Sequence, residues 1–232
     1  MNKHSVKWLM AVGFLALGFS FGGCSGLFNG SGSNPYYKVT PEFKSFCYFN
    51  AGSEWTYQND STGVPFSLTV NSINTYIGFQ VQNPSTPSFS FDVIEMLLDS
   101  NSMNMTKESI FATNILSDTA RMNDLYRIYY SDSTFVLAFA PQYPLRQTQI
   151  IGGQEGEYTN MEIMPYYLVQ GKKYDNVYHS QDKFPKFING SQTNDSVTMN
   201  FYIAQHYGII KWTALYKGKT SSYSLINSNL KQ

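Results

Sequence analysis

Ser88-Phe89-Ser90-Phe91-Asp92-Val93 alternates polar and apolar residues along its whole length. Alternation of period two is the signature of a strand with one face against a core. On a helix the same residues would scatter Phe89, Phe91 and Val93 around the circumference. The pattern recurs: residues 53–58 place Trp55 and Tyr57 on one face, and residues 209–216 place Ile210, Trp212, Ala214 and Tyr216 together. With 18 Tyr, 17 Phe and 3 Trp, the chain has ample side chains suited to a pleated, half-buried surface.

Turn chemistry separates these runs. Asn59-Asp60-Ser61-Thr62-Gly63 divides the strand at 53–58 from one at 64–73, giving an opening hairpin. Residues 76–81 read as a third strand, and Leu97-Leu98-Asp99-Ser100-Asn101 as the close of the strand that begins near Ser88. The stretch 102–121 is ambiguous: residues 106–113 suit a strand, while 115–125 could hold one or two helical turns. Residues 125–130 and 134–140 form another hairpin around Ser131-Asp132-Ser133. Residues 161–169 read as a strand that Pro165 consigns to a sheet edge. Turns then frame a short strand presenting Tyr174 and Tyr178. The polar stretch 189–195 leads into a strand at 197–205, and 209–216 with 221–227 makes a terminal hairpin around Lys217-Gly218-Lys219.

No helices intervene at the spacing a parallel βαβ sheet needs. The predicted fold is mainly β: an antiparallel meander forming a curved sheet or open barrel, with at most a short helical element.

The N-terminus is different in kind. Lys3, His4 and Lys7 precede an apolar run at 8–21, and Phe21-Gly22-Gly23-Cys24 places small residues before a cysteine. Fourteen apolar residues are too few for a spanning helix, which needs roughly 20, and they fit a signal-peptide core. The segment resembles the lipobox of bacterial lipoproteins, with Phe21 where Leu is usual. That resemblance implies cleavage before Cys24 and acylation of its thiol and new amino group, attaching the protein to the lipid bilayer. Multiple acyl chains anchor stably where one does not. The expected organisation is a signal peptide at 1–23, a flexible Gly- and Ser-rich tether at 24–40 and a single β domain at 41–232.

Three further strings, Tyr48-Phe49-Asn50-Ala51-Gly52-Ser53-Glu54-Trp55-Thr56-Tyr57, Gly171-Lys172-Lys173-Tyr174-Asp175-Asn176-Val177-Tyr178 and Tyr207-Gly208-Ile209-Ile210-Lys211-Trp212, resemble motifs of uncharacterised Bacteroidota envelope lipoproteins. The resemblance implies no catalytic or ligand residues. No acidic cluster follows Cys24, whereas a lysine-acidic signal there accompanies surface export in such lipoproteins. The expected location is therefore the outer membrane facing the periplasm, with the cell surface as the alternative.

Charge and cysteine content narrow the function classes. Loss of Lys3 and Lys7 leaves 14 basic against 16 acidic residues, and the only arginines are Arg121, Arg127 and Arg146. A nucleic-acid partner, which calls for a clustered basic footprint, is not expected. With Cys24 acylated, Cys47 is the one remaining thiol, and Phe43, Phe46, Tyr48 and Phe49 around it predict a small buried hydrophobe.

Trp55, Tyr57, Tyr174, Tyr178 and Trp212 are candidates for the core or for an aromatic binding platform. After signal removal only His179 and His206 remain, and Asp175, Asp182 and Asp195 are the carboxylates that could join one of them as metal ligands or in catalysis. Gly152-Gly153-Gln154-Glu155-Gly156 lacks the lysine and hydroxyl of a phosphate loop and reads as a turn. Glu155, Glu157, Glu162 and Asp175 could form an acidic rim, but a glycosidase needs two carboxylates opposed across a cleft. No metal or cofactor is predicted. Ser61, Thr119, Ser133 and Ser196 each follow an aspartate in triplets resembling the O-glycosylation signature of secreted Bacteroidota proteins. The expected function is a non-enzymatic binding or structural domain whose partner is a hydrophobic ligand, glycan or envelope protein, with an envelope hydrolase as the alternative.

Overall fold

A computed structural model describes residues 35–80, 88–101, 105–113, 123–130, 135–150, 156–188 and 191–232. The signal segment, Cys24, the tether up to residue 34, Thr119, Ser133, Gly152 to Glu155 and the helical reading of 115–122 lie outside them.

Thirteen strands and one helix are described. In chain order they are β1 (Tyr36–Tyr37), α1 (Pro41–Cys47), β2 (Glu54–Asn59), β3 (Pro65–Gln80), β4 (Phe89–Ser100), β5 (Met105–Thr113) and β6 (Asn123–Tyr130). There follow β7 (Phe135–Phe139), β8 (Thr148–Ile150), β9 (Glu157–Val169), β10 (Lys172–Ile188), β11 (Ser191–Ala204), β12 (Gly208–Tyr216) and β13 (Lys219–Asn229). They form one large, curved, non-closed sheet in the order β7-β6-β5-β4-β3-β2-β13-β12-β11-β10-β9-β8. Every pairing is antiparallel except that of β1, which lies parallel to β4 at Ser90 and Phe91. The predicted mainly-β curved sheet with one short helix is the observed architecture.

Two meanders meet at a central seam, where β2 pairs with β13 through Tyr57 and Leu225. The predicted turns explain two of the tight hairpins. Gln170 and Gly171 (φ 50° and 78°) connect β9 to β10, and Lys217 and Gly218 (φ 48° and 73°) connect β12 to β13. Positive φ at both central residues is what a two-residue hairpin matched to strand twist requires. At the β2–β3 turn, Asn59 Oδ1 accepts the Ser61 and Thr62 N–H groups at 3.0 and 3.1 Å.

Several strands run longer than their sequence suggests. β3 is one 16-residue strand rather than two, bulged between Val70 and Ser72 where it pairs with β4. β4 continues through Leu97 and Asp99 to Ser100, so the expected turn there is absent. β10 is a 17-residue strand, and β11 begins at Ser191 inside the stretch read as polar linker. In each case the partner strand continues alongside, and backbone pairing carries the ladder through the polar residues. The sheet also reaches back into the expected tether: β1 pairs with β4, and the Val39 N–H donates to Asp92 Oδ2 at 3.2 Å. Pro165 lies where expected, on an edge, because β8 pairs with β9 only at residues 157–159.

α1 follows from local signals. Thr40 caps it, its Oγ1 accepting the Phe43 N–H at 3.3 Å, and Pro41 opens the first turn, where its missing N–H costs nothing. Phe43, Phe46 and Cys47, at i, i+3 and i+4, form its buried face. That face meets the main core, in which Phe43 stacks on Phe139 at 5.2 Å and Phe46 meets Tyr178 edge-on at 5.3 Å.

Strands β4 to β7 are buried on both faces. Ile94, Met96, Ile110, Ala112, Tyr126, Ile128, Val136 and Ala138 join the main core, while the alternate residues Val93, Phe111, Leu125 and Leu137 join a second cluster with Tyr143 and Tyr158. Double burial explains the unbroken apolar run Phe135-Val136-Leu137-Ala138-Phe139.

β7 is a terminal strand, yet its outer edge is not open. The Leu137 N–H donates to Asp182 Oδ2 (2.9 Å), Ser180 Oγ donates to the Ala138 carbonyl (2.5 Å), and the Ala140 N–H donates to the Tyr158 hydroxyl (2.9 Å). Asn160 Nδ2 donates to the Ala140 and Tyr143 carbonyls at 2.8 Å each, and the Tyr158 hydroxyl donates to Asn160 Oδ1 at 2.6 Å. Ser180 pairs with Asn160 and Asp182 with Tyr158 across β9 and β10, so four neighbouring side chains on one face satisfy the edge of a strand from the other meander.

Candidate functional site

Four of the five candidate aromatics are core. Trp55, Tyr57, Tyr174 and Trp212 are buried. The Trp55 indole N–H donates to the Tyr207 carbonyl at 2.8 Å and the Tyr57 hydroxyl to the Ile209 carbonyl at 2.6 Å, so their polar ends are satisfied inside. Trp212 packs edge-on to Tyr57 at 4.6 Å and stacks on Tyr223 at 4.9 Å. Tyr174 meets Tyr207 edge-on at 4.9 Å, with Lys172 Nζ 4.5 Å from the Tyr207 ring centre.

Tyr178 is the exception. Half-buried, it joins Phe43, Phe46 and Phe139 in lining a groove of about 200 Å³ between α1, β7 and β10. Thr40, Glu42, Pro141 and Gln142 complete the lining. Burial, and then the charge of Glu42, raise the Tyr178 phenol above its ordinary value. Behind the rim, Asp124 Oδ2 accepts from Thr40 Oγ1 at 2.5 Å and from Gln142 Nε2 at 3.3 Å. Burial raises the Asp124 carboxyl despite these bonds. Phe139 and Glu42 carry no motif that would mark them in the sequence; the i, i+3, i+4 spacing after Thr40-Pro41 is the signal that finds α1.

Neither histidine lines the groove. His179 stacks on Tyr202 at 4.4 Å, and Tyr202 stacks on Tyr167 at 4.6 Å. Its Nδ1 lies 3.4 Å from Glu162 Oε1 and its Nε2 3.2 Å from Asn200 Oδ1, so both ring nitrogens are taken up by neighbouring side chains rather than turned to an open pocket. His206 is exposed, with Nδ1 2.8 Å from Gln232 Oε1. The expected carboxylate companions are elsewhere: Asp175 pairs with Lys173 (2.8 Å), Asp195 with Lys217 (2.8 Å), and Asp182 holds β7. Among the described residues no group of three His, Cys, Asp or Glu could hold a metal ion. Glu157 lies 3.4 Å from Lys183, so of the proposed acidic rim Glu157, Glu162 and Asp175 each face a basic group.

Cys47 is fully buried and its Sγ lies 3.2 Å from the Phe43 carbonyl. Burial pushes its thiol well above the ordinary value, the behaviour of an inert core cysteine. Of the modification candidates within the described residues, Ser61 is exposed in the β2–β3 turn and Ser196 is exposed on β11.

Glu108 is the unanticipated ionisable group. It lies on β5 beside Ile128 of β6 and Met96 of β4, is 6 % exposed, and its Oε2 has no hydrogen-bond partner among the described residues. Burial raises its carboxyl to about 7, offset in part by the Tyr126 hydroxyl. The sequence signal is its parity with Ile110 and Ala112, both in the core.

Comparison with protein families, with curated proteins and with solved structures found no match for this chain.

Proposed function

We propose that the chain is an envelope lipoprotein, anchored through an acylated Cys24 to the outer membrane and facing the periplasm, whose β domain is a non-enzymatic binding or structural module of the kind found in uncharacterised Bacteroidota lipoproteins. The filled inner face of the sheet carries this reading. α1 and large rings such as Phe49, Phe201 and Trp212 occupy the space that a carrier of hydrophobic molecules would keep open. Recognition of a glycan, small ligand or envelope protein then falls to the surface. The hydrolase alternative draws no support from His179, whose nitrogens are both engaged.

Membrane fractionation of wild type and Cys24→Ser tests the anchor, and intact-mass measurement of the membrane form tests its acylation. Equal retention of the two forms, or an unacylated mass, would overturn it. Native mass spectrometry of the purified protein tests the binding module, for which a bound species or partner at the surface is expected.

A further inference from the structure

We propose that the open border of β3 pairs with the same border of a second copy of this chain, joining two sheets across a two-fold axis. The inference concerns assembly and stands apart from the binding-module reading. On one side β3 pairs with β4 as far as Gln80, opposite Phe89. On the other, β2 accompanies it only from Pro65 to Thr69, and the bonds of Val70 with Gly52 and Ser53 end that contact. From Asn71 to Gln80 no described strand lies along this side, which leaves about 30 Å of backbone border open.

Two other borders of the sheet are blunted. Asp182, Ser180, Tyr158 and Asn160 occupy that of β7, and β9 carries Glu162 and Pro165 beyond its pairing with β8. Charge and proline are common means of keeping a strand border from meeting another chain. The run from Asn71 to Gln80 has neither. It does have Ile77 and Phe79, 65 % and 56 % exposed. Their neighbours on β4 are Asp92 and Ser90, and Asp92 is committed to the Tyr36 hydroxyl and the Val39 N–H. Apolar neighbours for the pair can come from the open side.

Antiparallel pairing about Gly78 brings Ile77 of one protomer opposite Phe79 of its partner, and the converse, so one uncharged sequence completes itself. The tether is a poorer occupant. It enters the fold at Pro35, whose carbonyl accepts the Ser90 N–H on the border of β4 away from β3.

The test is light scattering coupled to size exclusion, on the full chain in dodecyl maltoside, which reads the number of protomers per particle across the micromolar range. Two are expected, with dimerisation weakened about tenfold in Ile77→Lys and in Phe79→Lys, because each loses the same apolar pair twice. Both side chains are exposed, so the variants should keep the wild-type circular dichroism spectrum. Ile163→Lys, at an exposed position on β9, should leave the dimer unchanged. Hydrogen exchange gives a reading without substitution: amides from Asn71 to Gln80 should exchange more slowly at high protein concentration than at low. A single protomer throughout, an undiminished dimer in the folded β3 variants, loss of the dimer with Ile163→Lys instead, or exchange independent of concentration overturns the proposal. A monomer with another polypeptide along this border also overturns it and gives the border to a foreign strand. A monomer that still carries a surface ligand removes this assignment and leaves the binding module standing.

Discussion

Asp182 on β10 accepts the backbone N–H of Leu137 on β7 at 2.9 Å, so a buried side chain does the work that a neighbouring strand would do in a closed barrel. Ser180, Tyr158 and Asn160 continue the same ladder. Each bond spans the two meanders, and each serves a backbone group that has no water to turn to.

Removing one rung should therefore cost more than an average hydrogen bond. Asp182→Ala leaves the Leu137 N–H buried and unmatched, a loss of about 2 to 3 kcal/mol. Asn160→Leu orphans the Ala140 and Tyr143 carbonyls together and should cost at least as much. Urea denaturation read by tryptophan fluorescence measures both, and a change under 0.5 kcal/mol would mean that the edge finds other partners.

Glu108 should make the fold weaker with rising pH. Its folded carboxyl titrates near 7 against an ordinary 4.5, so the folded protein holds a proton there that the unfolded chain releases. The contribution is fully present below pH 4.5 and is lost as pH rises to about 7, a fall of about 3 kcal/mol. Glu108→Gln should flatten that part of the stability curve and be the more stable form at pH 8. Parallel curves for wild type and variant between pH 5 and 8 would contradict the assignment.

Two glycines separate conformational strain from steric exclusion. Gly171 and Gly156 both have positive φ, 78° and 70°. A Cβ on Gly171 would meet nothing within 4 Å, so Gly171→Ala should cost only about 1 kcal/mol for the left-handed backbone. On Gly156 it would lie 2.1 Å from the Lys183 carbonyl oxygen, forcing β9 away from β10. Gly156→Ala should be the more destabilising by several-fold, and thermal unfolding of the pair would show it.

Trp212→Ala should remove a core anchor, with a loss of about 3 to 5 kcal/mol. The ring touches Tyr57, Phe66 and Tyr223, on strands from both sides of the seam. Glu162→Ala, which removes an exposed partner of His179, should shift stability by less than about 1 kcal/mol. Chemical denaturation of the two variants provides the comparison.

The strands and hairpins were legible because Trp55, Tyr57, Phe89 and Trp212 recur at period two and because Lys217-Gly218 satisfies a tight turn on its own. Strand length was harder to read, since Asn74-Thr75 and Leu97-Leu98-Asp99 look like interruptions until a partner strand is placed beside them. The edge ladder was illegible. Tyr158, Asn160 and Ser180 carry no local signal, Asp182 reads as a possible companion of a histidine, and only tertiary closure turns all four inward. For the groove, Tyr178 was singled out by type, but Phe139 and Glu42 reach it from segments whose proximity no local pattern encodes.

The seam of β2 and β13 has a temporal consequence. Tyr57 and Leu225 become neighbours only after nearly the whole domain is available, the most non-local kind of contact and the slowest to form. A polypeptide delivered amino-end first would display an unmatched β2 border until β13 arrived. Through that interval it is a template for pairing with other chains, and a cell making it has reason to chaperone the nascent form.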